Sequence, residues 1–207
     1  MLETAQKKKD ARERLLDAAE AAVLAKGFAA TSIEELIAAV GITKSGFFYH
    51  FKDKAALAKA LMLRYLERDR AILDELFRRA DELNEDPLHG FLVGLKLFAE
   101  MVADLPAVHP GCLAASFAYQ DQLFNREIRD LNRDGVLAWR RRFRERLEAI
   151  VERYPPRQEI DLDALADMVA TVVEGGIVLG RVLQDPSVLP RQILLVRDYV
   201  RLVFSPA

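Results

Sequence analysis

The stretch TSIEELIAAVGITKSGFFYHFKDK, from Thr31 to Lys54, constrains the fold more than any other part of the chain. Ser32 followed three residues later by Glu35 forms a capping box, which predicts the start of a helix. Apolar residues then recur at helical spacing up to Gly41, the residue best able to take the left-handed conformation that ends a helix. Because the turn is already complete at Thr43, the sequence predicts two helices joined as in a helix-turn-helix.

The second of these helices, predicted from Lys44 to about His50 or Phe51, is too short to be stable without packing. Phe47 and Phe51 are four residues apart and supply one apolar face, and Thr43 is placed to cap the helix. The opposite face carries groups that can meet phosphates and base edges in a DNA major groove: Lys44, Ser45, Gly46, Phe48, Tyr49 and His50. Thr43, at the start of the helix, is a further candidate DNA contact.

The same pattern also fits a protein that does not bind DNA. Helical corners that turn at a glycine are common in other classes of protein, and their outer face is then only a solvated surface. The residues of this stretch therefore leave two interpretations open.

The run GITKSGFFYHFKDK, which follows TSIEEL and precedes Ala-Ala-Leu57, resembles the TetR family of tetracycline-repressor-like transcriptional regulators. The resemblance covers about Arg12 to Leu61, and the rest of the chain agrees in length and helical layout. It implies a regulator that binds double-stranded DNA through the start of helix two, through helix three and through the lysine that opens helix four. These positions are Thr31, Lys44, Tyr49, His50 and Lys54.

Two positions depart from the family's pattern. Phe48 stands where the family often has a tyrosine, and Gly46 where it often has a hydroxyl-bearing residue. We therefore expect Tyr49 and His50 to make more of the contacts. The departures also favour an alternative function, a helical ligand-binding or scaffolding dimer whose head no longer reads DNA.

Charge and length fit a regulator better than a protein that coats nucleic acid. The chain has 207 residues, of which 51% are hydrophobic, so it can bury a sizeable core, and its net charge is only −2. Positive charge that contacts DNA must then be concentrated in one part of the chain. Lys7, Lys8 and Lys9, with Arg12 and Arg14, predict a basic arm that follows phosphates, or else simply a solvated helix start.

The hydrophobic pattern predicts an all-α fold of about nine helices. A first helix at about 9–26 ends at Gly27 and braces the helix-turn-helix, and a helix without Gly or Pro runs from Lys54 to about Leu83. Five more follow at about 87–104, after Gly111, and at about 125–154, 162–184 and 190–204. We predict a DNA-binding domain at 1–55 and a helical effector-binding and dimerisation domain at 56–207.

The last two predicted helices have broad apolar faces, which predicts a homodimer. Paired with their symmetry mates, helices 162–184 and 190–204 would form a four-helix interface, and Gly175, Gly176 and Gly180 would permit close approach. A monomer whose own core covers both helices is the alternative. A two-fold dimer would place two recognition helices in successive major grooves and so read a palindromic operator.

An apolar cavity in the second domain is predicted to bind a small-molecule effector. Its candidate lining is largely aromatic, and the resemblance implies that an inducer would bind there, although plain core packing gives the same pattern. Glu174 is the one acid in the middle of its apolar helix. The candidates are Phe91, Phe98, Met101, Cys112, Phe117, Trp139, Phe143 and Glu174.

Other functions find little support in the sequence. His50, His89 and His109 are scattered and match no zinc or catalytic spacing, so we expect no catalytic residue, metal or cofactor. A single cysteine and a charged N-terminal stretch without a long apolar run predict a cytoplasmic protein. Glu174 and Arg181 interrupt the longest apolar stretch, Met168 to Leu183, which argues against a membrane span. The arginines between 140 and 146 are predicted to form a solvated helix face.

Overall fold

The structure, a computed structural model, describes residues 10–204. Lys7, Lys8 and Lys9 of the predicted basic arm lie outside this range. Within it the chain is all-helical, without a strand, and a 3₁₀ turn at Asp121–Leu123 lies between α6 and α7. The nine α-helices are α1 (Ala11–Lys26), α2 (Ile33–Val40), α3 (Lys44–His50), α4 (Lys54–Leu83), α5 (Pro87–Ala103), α6 (Leu113–Ala118), α7 (Arg126–Arg153), α8 (Leu162–Leu183) and α9 (Val188–Phe204).

The helix ends near the N-terminus form where the local signals predict them. The side chains of Ser32, Thr43 and Asp53 each accept a hydrogen bond from a backbone amide in the first turn of the following helix, at 3.1, 3.1 and 2.7 Å. Gly41 ends α2 in the left-handed conformation, with φ at +69°. These caps confirm the bounds predicted for α2, α3 and α4.

Two details add to the sequence expectations. The Glu35 carboxylate accepts from the Ser32 amide, as a capping box requires, and it also accepts a hydrogen bond from Lys26 Nζ at 2.6 Å. This bond lowers the pKa of Glu35. Along the second half of α4, Leu73, Leu76 and Phe77 form the buried side, whereas Ile72 and Leu83 are exposed.

The first compact unit comprises the chain up to Tyr65 together with Leu113–Asn132. In it α1 contacts both α2 and α6, and α2 contacts α3. Its buried apolar side chains come from all of these segments and include Leu16, Val23, Leu36, Phe47, Phe51, Leu61, Leu113, Phe117, Phe124 and Ile128. The division into a DNA-binding domain at 1–55 and a helical effector-binding and dimerisation domain at 56–207 stays a prediction.

The second compact unit comprises Leu66–Cys112 and the chain from Arg133 onward. Here α9 contacts both α5 and α8. One close approach is specific: a Cβ at Gly94 would lie 2.6 Å from the Phe77 ring, so α5 accepts this ring only because the residue is glycine. The core includes Phe77, Phe91, Leu95, Phe143, Leu147, Ile150, Leu165, Ile193, Val200 and Phe204.

The arginine row of α7 is paired with acids inside the second unit. Arg140 and Arg144 reach acids of α8 at 2.6 and 2.7 Å, and Arg146 reaches Asp81 of α4 at 2.8 Å. The Arg146 guanidinium also lies 4.0 Å from the centre of the Phe77 ring. Four of the five arginines between 140 and 146 therefore join helices, and Arg141 is exposed. The four pairs are Arg140–Asp167, Arg142–Asp74, Arg144–Asp163 and Arg146–Asp81.

Candidate nucleic-acid interface

The turn between α2 and α3 is held by hydrogen bonds at both of its ends. The amides of Gly41 and Ile42 both donate to the carbonyl of Ile37, at 3.0 and 3.2 Å, which satisfies the end of α2. At the start of α3 the Thr43 hydroxyl accepts from the amide of Gly46 and lies 2.9 Å from the Ser45 hydroxyl. The turn therefore fixes the direction in which α3 leaves α2.

Helix α1 supports this turn from outside the helix-turn-helix. Arg14 Nη1 donates to the carbonyl of Val40 at 3.0 Å, which satisfies a carbonyl in the last turn of α2. Lys26 binds Glu35 at the other end of α2. Because α1 is bonded to both ends of α2, it determines how the helix-turn-helix formed by α2 and α3 is oriented.

Helix α3 is anchored by phenylalanines on one side. Phe47 is fully buried and Phe51 is nearly so, with ring centres 5.8 Å apart. The sequence predicted this anchoring from the spacing of the two residues, and the burial confirms it. A helix of seven residues depends on such packing, since its own hydrogen bonds do not stabilise it in water.

The other side of α3 is uncovered in the single chain. Tyr49 is 85% exposed and Phe48 is 45% exposed, and Lys44 and Ser45 also face solvent. His50 and Gly46 are half-buried, and the rings of Tyr49 and His50 meet edge to face at 5.0 Å. The structure therefore brings most of the predicted DNA-binding residues together on one face.

Lys44 supplies an available positive charge on this face. Its ammonium lies 3.8 Å from a Glu34 carboxylate oxygen, and both side chains are more than two-thirds exposed. An exposed pair at this distance contributes little free energy and is screened by salt. A phosphate could therefore displace the glutamate at small cost.

Two predicted residues do not join the exposed face. Thr31 is only 1% exposed, and its hydroxyl donates to the carbonyl of Gly27 at 3.0 Å. Lys54 is half-buried, and its ammonium donates to the carbonyl of Phe28 at 2.8 Å while lying 4.5 Å from the centre of the Phe28 ring. Burial lowers the pKa of Lys54. In this conformation both side chains hold the loop between α1 and α2.

The predicted effector-binding residues are only partly gathered. Phe91, Phe98, Trp139 and Phe143 belong to one aromatic cluster of the second unit, with neighbouring ring centres 5.5 to 6.4 Å apart. Phe117 lies in the first unit instead, stacked on Phe124 at 4.3 Å. Its placement with the other aromatics was wrong, because residues that alternate along the chain between the two units cannot be assigned by helical spacing alone.

The remaining three effector candidates have different surroundings. Met101 is exposed, Glu174 is half-buried on α8, and Cys112 is half-buried against the core of the second unit. None of the eight candidates lines the small cleft formed by α5, α8, α9 and the loop after α5, which has room for about one water molecule. The cleft is lined by Val102, Ala107, Val108, His109, Gly176, Ile177, Gly180, Asp185, Pro186 and Leu189.

Asp69 is a candidate effector residue that the sequence did not reveal. It accepts a hydrogen bond from the Trp139 indole, at the edge of the aromatic cluster. Burial raises the pKa of Asp69, while the Trp139 bond and the charges of Arg142 and Arg68 act the other way. Acid and indole are far apart in sequence, so no local pattern could have joined them.

A separate aliphatic surface lies on α8 and α9. Val182 is 74% exposed and Leu202 is 63% exposed, and a Cβ at Gly175 would meet no atom within 4 Å. A run of uncovered aliphatic side chains is unusual on a monomer and typical of an interface. Its members are Val178, Leu179, Val182 and Leu183 of α8, and Leu195, Tyr199 and Leu202 of α9, and we call it the α8–α9 face.

Metal and membrane chemistry find no site in the described part of the chain. Between residues 10 and 204, no cluster of three or more His, Cys, Asp or Glu could hold a metal ion. No helix in that range is long and apolar enough to cross a bilayer.

Comparison with known proteins adds sequence and fold relationships. The family described as bacterial regulatory proteins, tetR family, matches residues 15–61, which contain the helix-turn-helix. The chain is 27% identical over 192 residues to the probable HTH-type transcriptional regulator ArpR of Pseudomonas putida, covering 89% of this chain and 85% of ArpR.

Solved structures share the whole fold. A TetR-family transcriptional regulator from Agrobacterium tumefaciens superposes with a TM-score of 0.76 at 19% identity, covering 94% of this chain and 98% of that one. A TetR transcriptional regulator from Chloroflexus aurantiacus J-10-FL gives 0.74 at 26% identity, covering 92% and 93%. The similarity therefore covers more than nine-tenths of the chain and is not limited to the helix-turn-helix.

Proposed function

Because this chain belongs to the TetR family of bacterial regulatory proteins, we propose that it is a repressor that binds a palindromic operator as a homodimer and is released by a small-molecule effector. Regulators of this family bind DNA and are not enzymes. Binding to DNA would place its work in the bacterial cytoplasm. The parts of the proposal beyond a TetR-family regulator rest on separate observations.

DNA binding is assigned to the exposed face of α3. The observation that carries this assignment is the contrast across one short helix, with Phe47 buried and Tyr49 almost fully exposed. Tyr49 can donate a hydrogen bond to a phosphate or base edge, and Lys44 supplies charge at the start of the helix. Ser45 and the half-buried His50 add polar groups beside them. Phe48 offers apolar contact, such as with a thymine methyl group.

Dimerisation is assigned to the α8–α9 face. Seven uncovered apolar side chains on two neighbouring helices favour a partner of the same chemistry, and a second copy of the chain supplies it. Gly175 leaves open space on that side, which permits a helix of the partner to approach closely. A two-fold axis through this face would present two copies of α3 to one DNA duplex.

Effector binding is assigned to the aromatic cluster of the second unit. Phe98, Trp139 and Phe143 provide apolar surface, and the Asp69 carboxylate provides a polar group in partly buried surroundings. Effector sites combine these two kinds of surface. Phe91 is fully buried and would act from behind the other rings.

The experiment that tests the DNA-binding function is selection of duplexes from random-sequence DNA by the purified protein. We expect an enriched palindrome whose binding weakens with salt and resists competitor DNA. Failure to enrich any sequence would favour the alternative, a helical ligand-binding or scaffolding dimer with a degenerate head, to which Phe48 and Gly46 point. Under either function, thermal-shift screening of the purified protein would identify small molecules that bind it.

A further inference from the structure

The peptide group between Phe28 and Ala29 is bound on both sides by side chains from distant parts of the chain. Lys54 Nζ, at the start of α4, donates to the Phe28 carbonyl at 2.8 Å. The Ala29 amide donates to Gln120 Oε1 at 3.1 Å, and Gln120 lies just beyond α6. Side chains from two distant segments thus bind the same peptide group, and we call this arrangement the peptide clamp.

The Phe28 side chain is fixed by the same two segments. Its ring lies 4.9 Å from the ring of Phe124 and 5.7 Å from that of Phe117, and the Lys54 ammonium is 4.5 Å from its centre. Phe117 and Phe124 stack on each other at an angle of 13°. Contacts between aromatic rings add to the free energy of burial, as does a cation over a ring face. Segment 113–132 therefore makes two contacts with this loop. Its phenylalanines pack against the Phe28 ring, and its Gln120 accepts a hydrogen bond from the Ala29 amide.

Gly27 shows how closely Gln120 fits this loop. Its φ is +83°, which favours glycine, and a Cβ there would lie 2.6 Å from Gln120 Nε2. The Thr31 hydroxyl donates a hydrogen bond to the carbonyl of Gly27, and the Thr31 amide donates to the Phe28 carbonyl at 3.2 Å. The residue after Thr31 is Ser32, which caps α2. The clamped loop thus leads directly into the helix that carries the turn and α3.

We propose that Gln120 and Lys54 are positioning residues for DNA binding, which act by fixing the Gly27–Thr31 loop and through it α2 and α3. Lys54 then acts from inside the first unit and not as a phosphate contact. This inference rests on the proposed DNA-binding function. It adds segment 113–132, which the helix-turn-helix match does not include, to the parts that set DNA affinity.

Loss of the peptide clamp is expected to lower the affinity for DNA. Without it the loop samples more conformations in the free protein, and the duplex must select the one that presents α3 correctly. A dimer has two clamps and loses one neutral hydrogen bond from each, so we expect affinity to fall by roughly thirtyfold, which corresponds to about 2 kcal/mol. The neighbouring Gln122 is exposed and supplies a matched control.

The first arm of the test compares Gln120→Met, Gln120→Glu and Gln122→Met by fluorescence anisotropy, with a duplex selected by the wild-type protein. Met keeps the length of the side chain without the amide, and Glu keeps the acceptor for the Ala29 amide. We expect Gln120→Met to bind roughly thirtyfold more weakly, with Gln120→Glu closer to the wild type and Gln122→Met unchanged. Titration at a salt concentration that screens the added charge makes the Glu comparison fair.

The second arm measures the salt dependence of binding for Lys54→Met. A lysine that binds phosphate would lower the steepness of log K against log salt by about 0.9 per contact when it is removed. A positioning lysine lowers affinity and leaves that slope at the wild-type value. We expect the second result. A reduced slope would show that Lys54 contacts DNA and would overturn its assigned role.

Outcomes that overturn the proposal are distinct from failure of the DNA-binding function. If the wild-type protein binds no selected duplex, the proposed function fails first. If it binds and Gln120→Met binds equally well, only the clamp proposal is wrong. Equal losses for the Met and Glu variants would contradict a role for the acceptor oxygen. A collapse of thermal melting in Gln120→Met, followed by circular dichroism, would show that Gln120 maintains folding and does not act by orientation.

Discussion

The exposed face of α3 and the α8–α9 face are both uncovered in the single chain, but their chemistry differs. On α3 a lysine, a serine and a tyrosine stand beside one exposed phenylalanine, whereas the α8–α9 face is aliphatic apart from Tyr199. Charge and hydrogen-bonding groups suit a hydrated, anionic partner such as DNA, and aliphatic groups suit a surface of their own kind. Substitutions can therefore separate DNA binding from dimerisation.

The largest effect is expected on the inner side of α3. Phe47 is fully buried, so Phe47→Ala should lower the free energy of unfolding by about 3–5 kcal/mol and abolish DNA binding with it. Phe48→Ala, at the neighbouring half-exposed position, is the matched control and should lose only the edge contact with the Phe47 ring, about 1 kcal/mol. Chemical denaturation followed by circular dichroism measures both. Equal losses for the two variants would show that α3 does not have one buried and one free side.

The next effect is expected on the α8–α9 face. Leu202→Glu should weaken dimerisation by at least about 3 kcal/mol, since even a neutral polar group costs roughly 1–3 kcal/mol for each copy buried and a carboxylate costs more. Leu83→Glu, at a similarly exposed leucine of α4, is the control and should remain dimeric. Sedimentation velocity over a concentration series reports the change. An unaltered dimer in Leu202→Glu would mean that the copies associate elsewhere.

A smaller effect is expected from the charge on α3. Lys44→Ala should reduce the slope of log K against log salt by about 0.9 for each of the two protomers. Lys96→Ala removes the same charge from α5 and should leave the slope unchanged. Dimerisation and melting should not change in either variant. A slope that matches the wild type in Lys44→Ala would place the phosphate contacts on other residues.

The smallest effect concerns charge that the fold has already neutralised. A hydrogen bond from Arg146 lowers the pKa of Asp81. A carboxyl with a depressed pKa stabilises the fold above its unfolded pKa of about 4, and that contribution is lost as pH falls through the folded pKa. Because the Asp81 side chain is about half exposed and solvent screens its charge, we expect less than about 1 kcal/mol.

Acid titration of stability tests this prediction. Asp81→Asn should destabilise the protein at neutral pH and flatten the decline of unfolding free energy below about pH 4. Asp104→Asn, at an exposed position that ends α5, is the control. DNA affinity should be unaffected by both variants, in contrast to Lys44→Ala. A weaker operator complex in Asp81→Asn would link the α7 pairs to DNA binding.

Local rules predicted the parts of the site that depend on neighbouring residues. The left-handed Gly41, the capping hydroxyl of Thr43 and the burial of Phe47 follow from signals within a few positions of each residue. The face of α3 could be derived for the same reason, because a helix fixes the direction of each side chain. The all-α fold and most helix bounds also follow from periodicity and from breaks at Gly and Pro.

Sequence reasoning could not determine contacts between distant segments. Lys54 is a lysine at a helix start, and nothing near it indicates that its ammonium turns toward Phe28. Gln120 and Asp69 gain their importance from partners about ninety and seventy residues away. Phe117 looks like Phe98 in a helical pattern, yet it packs in the other unit. Burial and long-range pairing decide these cases.

The most direct measurement is the affinity of Tyr49→Ala for the selected duplex, made together with sedimentation and thermal melting of the same sample. Tyr119→Ala, at another highly exposed tyrosine, is the control. We predict that Tyr49→Ala binds at least about tenfold more weakly, consistent with the 1–3 kcal/mol expected of a specific contact, while it remains a dimer and melts like the wild type. Full affinity in Tyr49→Ala would contradict the assignment of DNA binding to the exposed face of α3.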